Sequence, residues 1–218
     1  MKGELPMPVP FIAVEGPIGV GKTSLSNRIA EHFGYDLLKE IVDENPFLNK
    51  FYEDIDEWSF QTEMFFLCNR YKQLKDIKKN SINAKKEVVA DYHVFKNLIF
   101  AQRTLQPSEY KKYEQIYEIL IEDMVTPNIV IYLDATVDTL MKRIAMRGRE
   151  FEHMIKRDYM EQLVADYHVF IDRFEQENPQ IPVLRINGDA YDFVNNDYDL
   201  QKILQQVEEL LSKRSLKQ

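Results

Sequence analysis

The octapeptide GPIGVGKT, Gly16 to Thr23, has the spacing G-x-x-x-x-G-K-[ST]. Glycines at 16, 19 and 21 leave backbone N–H groups free to approach phosphate oxygens that side chains would hold off. Lys22 can reach the β and γ phosphates of a nucleoside triphosphate. The Thr23 hydroxyl can complete the shell of a magnesium ion that keeps several waters. An apolar run, FIAVE, precedes the motif, and a helix-like run, SLSNRIAEHF, follows it. A helix N-terminus there adds partial positive charge. An ordinary glycine turn is the plain alternative, and motif and context together argue against it. Glu15, Gly16, Pro17, Ile18, Gly19, Val20, Gly21, Lys22 and Thr23 are the candidate ATP cradle.

Other charged residues suit the same chemistry. In MKRIAMRGRE, Arg143 and Arg147 are four apart on one helix face, and Arg149 follows Gly148, a helix-ending glycine. Three guanidiniums converging on one spot can stabilise the negative charge that spreads over a transferring phosphoryl group. The ordinary alternative is a solvated basic face at a helix C-terminus. Glu40 ends a second strand-like run and Asp91 a third. Ligands of doubly wound sheets sit beyond the carboxyl ends of the strands, so both acids should face the cradle. A carboxylate there can accept a proton from an attacking hydroxyl or hold magnesium. Asp91 could instead cap the next helix, and Glu40 could be a solvated strand end. Lys22, Glu40, Asp91, Arg143, Arg147 and Arg149 form the candidate catalytic set. Thr23 and Asp91 are the candidate magnesium ligands, and Arg147 and Arg149 also reach for ATP.

These groups need a scaffold, and the chain's pattern supplies one. Strand-like apolar runs occur at 11–15, 35–39, 87–90, 128–134 and 182–186. Helix-like segments fall at 23–32, 57–79, 94–106, 108–124, 137–147, 156–177 and 199–214, the second with Phe60, Met64, Cys68, Tyr71 and Leu74 inward. This alternation implies an α/β fold: a five-stranded parallel sheet flanked by helices on both faces. No linker divides residues 1–218, so a single domain is expected, with a lid at about 147–158.

Composition bounds the function classes. With 44% hydrophobic and 29% charged residues the chain reads as globular. A net charge of -8 argues against a general nucleic-acid binder, which needs a basic face. The single cysteine, Cys68, excludes an intrachain disulfide and any multi-thiolate zinc site, as in a reducing compartment. The start MKGELPMPVP has no long apolar core, and no run approaches a membrane span. A cytoplasmic location, without membrane attachment, is expected.

Five blocks in order, GPIGVGKT, KEIVDENPFLNKFYED, WSFQTEMFFLCNRYKQL, ADYHVFKNLIFA and RGREFEHMIKRDYMEQL, resemble the deoxyribonucleoside kinase family, most of all its bacterial deoxyadenosine/deoxycytidine kinases. The resemblance implies a P-loop kinase fold with an arginine-rich lid, ATP with Mg2+, a deoxynucleoside acceptor, deoxyadenosine and deoxycytidine before the others, a role in nucleotide salvage and a homodimer. It makes Glu40 the acid near the 5'-hydroxyl, sets Tyr52 and Glu152 on the sugar 3'-hydroxyl and Gln61 on the base edge, and lets Asn97 and Cys68 shape base preference. Val42, Phe51 and Phe100 become apolar walls. Where the family usually has acid, arginine and serine, this chain has Asp91, Tyr92 and His93. Tyr92 would take that place at the substrate but cannot supply the arginine's charge near the 5'-end, so Arg70, Arg103 or the lid arginines would compensate. His93, a lone histidine by a strand end, reads as structural. RINGDAYDF, at 185–193, resembles the loop that holds the donor adenine.

A deoxyguanosine kinase and a thymidylate-type nucleoside monophosphate kinase are the rival enzymes. The second would need a cationic acceptor site, whereas Glu40, Tyr52 and Glu152 suit an uncharged sugar. A P-loop nucleotide switch, with Asp134 of IVIYLDA on magnesium, is the non-kinase rival; there Thr136 looks instead like a helix cap. Finally, VADYHVF occurs at 89–95 and 164–170 with unrelated flanks. The first copy reads as a strand end with Asp91 at the ligand edge. The second reads as part of an amphipathic helix with Asp166 on a wet face, so no repeat is implied.

Overall fold

A computed structural model describes residues 9–42 and 44–216; the N-terminal start singled out above lies largely outside the described residues. Strands β1 (Phe11–Glu15), β2 (Asp36–Leu38), β3 (Val88–Ala90), β4 (Ile129–Asp134) and β5 (Val183–Asn187) form one parallel sheet in the order β2-β3-β1-β4-β5. β1 is central, pairing Ala13 with Ala90 on one side and with Val130 on the other. The helices are α1 (Lys22–Phe33), α2 (Leu48–Glu53), α3 (Ile55–Asn80), α4 (Lys96–Thr104), α5 (Pro107–Ile121), α6 (Val137–Arg147), α7 (Arg157–Glu177) and α8 (Asp197–Leu216).

Residues of β1 and β3 alternate between two cores. Ile12, Val14 and Val89 join Leu25, Ile29, Leu140, Leu163 and Ile203 in one apolar cluster. Phe11, Val88 and Ala90 join Leu67, Leu74 and Tyr113 in the other. The period of two thus feeds helices on both faces, which is why the strands read as continuous apolar runs. Truncating any fully buried aliphatic here, such as Ile12 or Ile131, to alanine costs about 2 to 5 kcal/mol.

The two VADYHVF copies fold differently: one spans β3 and the turn into α4, the other lies inside α7. Asp91 is not a helix cap, because α4 begins at Lys96 behind Phe95. Thr136 does cap α6, accepting from the Thr139 N–H. Gly148 ends α6 with φ 66°, a left-handed conformation that favours glycine. Three features lacked a sequence signal: the six-residue α2, the 3-10 turn Ile82–Ala84 after α3, and the 3-10 turn Glu150–Met154 inside the lid. Asp54 both ends α2 and caps α3 by accepting from Glu57 N–H at 3.2 Å, so one residue breaks and restarts the helix.

The expected inward stripe of α3 needs correction. Its buried residues are Ser59, Thr62, Glu63, Leu67, Arg70 and Leu74, and Cys68 is exposed. The helix turns two charged residues inward because a polar cavity lies beneath them. Among the described residues, no helix is long and apolar enough to cross a membrane.

Candidate active site

A cleft of about 820 Å³ opens beyond the carboxyl ends of the strands. Its phosphate end is the loop between β1 and α1. Gly16 has φ 151°, and a Cβ there would lie 2.2 Å from the Leu133 carbonyl oxygen, so β4 packs against the loop only because glycine is present. Glu15 is fully buried behind the loop rather than in the cleft. It accepts from Gly16 N–H (2.8 Å), His93 N–H (2.8 Å) and the Tyr167 hydroxyl (3.0 Å), which joins the loop to the β3–α4 turn and to α7. Lys22 Nζ donates to the carbonyls of Gly16 (2.7 Å) and Pro17 (2.9 Å). Burial and the neighbouring Lys96 lower its pKa to about 7.

Strand ends supply the acids. Asp91 follows β3 and accepts the Thr23 hydroxyl at 2.9 Å and the Glu40 N–H at 2.6 Å. Burial, then the charge of Glu40, raises its carboxyl pKa. Glu40, two residues beyond β2, is clamped by Arg70 and by Lys96 Nζ at 2.8 Å. Its burial opposes ionisation, but Lys96 and Arg70 overcome that and hold it well below the usual carboxylate range. Arg70 and Lys96 are themselves buried and both pair with the one carboxylate they face, so the three groups together keep a net positive charge. Of the cations named above, Arg70 lies beside Glu40 in the cleft lining. Arg103 does not; it binds Asp166 with two bonds of 2.6 and 2.7 Å, outside the cleft lining. That pair also corrects the expectation for Asp166, which is half-buried against α4 rather than simply wet.

The lid arginines divide their work. Arg143 bridges two backbones, donating to the carbonyls of Val20 (3.0 Å) and Gly188 (2.8 Å). Arg147 and Arg149 instead meet at buried Glu152, Arg147 through Nε at 3.0 Å and a second, shorter bond, Arg149 at 3.6 Å. All three line the cleft, so they converge on one cavity though not on one point. The loop after β5 closes the outer end with Gly188, Asp189 and Phe193, whose ring limits the space over Gly21.

At the inner end, Val42, Phe51, Tyr52, Phe100 and Glu152 line the cleft as the resemblance implies. Tyr52 stacks on Phe151 at 6.2 Å, and burial, then Glu152, raises its hydroxyl pKa. Four expected residues are elsewhere. Gln61 and Cys68 are exposed and outside the lining. Tyr92 is buried with its hydroxyl donating to Gln73 at 3.0 Å. Asn97 is buried behind Arg70, which its Oδ1 accepts. Neither lines the cleft. His93 stacks on Phe95 at 4.0 Å, accepts the Phe95 N–H at 3.1 Å, and has its pKa lowered to about 3 by burial, as suits a structural histidine.

Sequence reading missed Lys96, Glu63 and the full part played by Arg70. Glu63 is buried in the cleft wall and accepts from Thr104 Oγ1 at 3.2 Å; burial, opposed by Arg70, raises its pKa to about 7. A usable signal did exist: Glu63 and Arg70, seven apart, put opposite charges on one face of a helix crowded with Phe65, Phe66 and Leu67.

Comparison with known proteins identifies the family and the fold. Residues 12–212 match the family model described as deoxynucleoside kinase. The chain is 49% identical over 202 residues to the deoxyguanosine kinase of Bacillus subtilis, covering 93% of this chain and 98% of that one. It is 30% identical over 201 residues to the deoxyadenosine/deoxycytidine kinase of the same organism, covering 90% and 91%. Among solved structures it is similar to M. mycoides deoxyadenosine kinase with bound dATP, at TM-score 0.76 and 26% identity, over 91% of this chain and 99% of that one.

Proposed function

We propose, starting from the fact that this chain belongs to the deoxynucleoside kinase family, that its cleft holds ATP at the Gly16 to Thr23 loop and a deoxynucleoside between Glu40, Tyr52 and Glu152. The activity of the family is ATP-dependent phosphoryl transfer to a deoxynucleoside. One observation carries the site assignment: Glu40, beside the phosphate loop, is kept ionised by Lys96 and Arg70.

In this reading Glu40 orients the 5'-hydroxyl and takes its proton as the bond to phosphorus forms. A strong base is not needed, because little negative charge builds on the attacking oxygen in a loose transition state. Lys22 and the lid arginines Arg147 and Arg149 offset charge on the transferring group, while Arg143 holds the loop and lid together. Tyr52 and Glu152 hold the 3'-hydroxyl, and the family resemblance implies that this region leaves little room for a 2'-hydroxyl.

The donor set also fits magnesium. The Thr23 hydroxyl and Asp91 Oδ2 are paired oxygens at the loop, and among the described residues no cluster of three or more His, Cys, Asp or Glu could form a protein-only cage. Mg2+ characteristically uses one or two such ligands plus phosphate oxygens and water. Thr23 and Asp91 would hold it, and its charge would help neutralise the β and γ phosphates.

Residues 1–218 act as one kinase domain in this reading, with a lid at about 147–158, in the cytoplasm and as a homodimer. Deoxyguanosine takes precedence over deoxyadenosine and deoxycytidine as acceptor, following the 49% relative. The test is ATP turnover with each deoxynucleoside and its ribonucleoside counterpart. Dependence on added nucleoside with kcat/KM favouring the 2'-deoxy form is expected; nucleoside-independent ATP hydrolysis would support the nucleotide switch.

A further inference from the structure

Two residues beyond Gln61, Glu63 lies at the inner end of the cleft and is 2% exposed. One hydrogen bond reaches it among the described residues, from Thr104 Oγ1 to Oε1, which leaves most of its acceptor capacity unused. Arg70 lines the same end from the same face of α3, and its Nε is buried without a partner among the described residues. Thr62 Oγ1 beside them is also unpartnered among those residues. Buried polar groups are nearly always satisfied, so three incomplete ones around a cavity walled by Phe66 and Phe100 call for a flat ligand rich in hydrogen bonds.

The bases differ in what they offer. Guanine presents N1–H and the 2-amino group side by side, two donors that match the two oxygens of a carboxylate, and its O6 and N7 accept from a guanidinium. Adenine and cytosine present one amino donor beside a ring-nitrogen acceptor. That acceptor would face an ionised carboxylate lone pair to lone pair. Two N–H donors favour the charged form of Glu63, so guanine also keeps its own receptor ionised.

We propose that Glu63 determines base specificity by accepting from guanine N1–H and the 2-amino group, with Arg70 on the O6 and N7 side. The assignment rests on the inner end being the acceptor site. It differs from the base-edge role that resemblance gives Gln61, which the fold turns to solvent.

The test compares kcat/KM for deoxyguanosine, deoxyadenosine and deoxyinosine in the wild-type protein and in Glu63→Gln. Glutamine has the same shape but one acceptor and one donor, the complement of adenine's edge. The ratio of deoxyguanosine to deoxyadenosine should fall on the order of 100-fold, with the KM for ATP little changed and the unfolding midpoint at neutral pH held or raised, since the neutral amide removes a buried carboxylate whose ionisation costs stability. A merely structural Glu63 would lower both nucleosides alike. Deoxyinosine keeps N1–H and lacks the 2-amino group, so the wild-type protein should use it roughly 10-fold less well than deoxyguanosine. This arm needs no variant and stands even where Glu63→Gln folds poorly. An unchanged ratio in a folded variant, or equal use of deoxyinosine and deoxyguanosine, would overturn the inference and leave the kinase reading intact. Absence of turnover on every deoxynucleoside would strike the acceptor site itself, and the inference with it.

Discussion

Changing Asp91 to asparagine should separate chemistry from architecture, because its two oxygens have different partners. Oδ1 accepts the Glu40 N–H at 2.6 Å, and asparagine preserves that bond. Oδ2 accepts the Thr23 hydroxyl at 2.9 Å, and the new amide can donate to the same oxygen once that hydroxyl turns. The fold therefore trades charged hydrogen bonds for neutral ones at a cost of about 1 kcal/mol. The chemistry loses a negative charge beside the phosphate loop, and with it the proposed magnesium ligand, so kcat/KM should fall by on the order of 100-fold or more. Asp166, in the same heptapeptide, is the control. Its pair with Arg103 has side chains 29% and 31% exposed, so Asp166→Asn should cost no more than about 1 kcal/mol and leave kcat/KM within about twofold. Steady-state kinetics and a denaturant midpoint on both variants decide the matter. Equal catalytic losses in two well-folded proteins, or an undiminished Asp91→Asn enzyme, would refute the reasoning.

Three other outcomes follow from the same geometry. Lys22→Ala should abolish transfer with a native unfolding midpoint, since among the described residues the side chain hydrogen-bonds loop carbonyls alone and faces the cleft; turnover within a few-fold of wild type would remove the cradle assignment. Arg149→Ala should lower kcat more than it raises the nucleoside KM, whereas Arg147→Ala should do both, because Arg147 makes the closer bonds to Glu152; an effect of Arg149→Ala confined to KM would place that residue on nucleoside binding. The pH dependence of stability should show two opposed groups. His93, near 3 when folded against 6.5, contributes stability that is lost as pH falls below 6.5. Glu63, near 7 against 4.5, does the reverse, relieving strain as pH falls through 7. Each can contribute up to about 1.4 kcal/mol per pH unit where they overlap, so Glu63→Gln should lose stability more steeply than wild type on acidification from pH 6.5 to 4.5. Parallel stability curves would contradict this.

The phosphate loop was legible because backbone geometry leaves so little choice of side chain there: Gly16 meets the Leu133 carbonyl, and Gly21 meets Phe193. The inner strands β1, β3 and β4 were legible because burial on both faces forces continuous apolar runs, and the edge strands β2 and β5, only partly buried, were legible from their shorter apolar runs. Asp91 was legible as a strand-end acid. The inner end was harder. Hydrophobic periodicity assumes that what points inward is apolar, and α3 breaks that assumption with Glu63 and Arg70, which is why the expected stripe settled on Cys68. Lys96 carried no signal at all, since an isolated lysine at the start of a helix is ordinarily solvated; only the position of Glu40 makes its burial affordable. The short α2 was invisible because Asp54 interrupts what would otherwise be one helix.

The most direct test follows the phosphate. With γ-labelled ATP and one deoxynucleoside at a time, the products should be ADP and the nucleoside 5'-monophosphate in equal amounts, with label on the 5'-oxygen and none released as free phosphate. Label appearing as inorganic phosphate at the same rate with and without nucleoside, or transferred only to an acceptor that already carries a 5'-phosphate, would contradict the account.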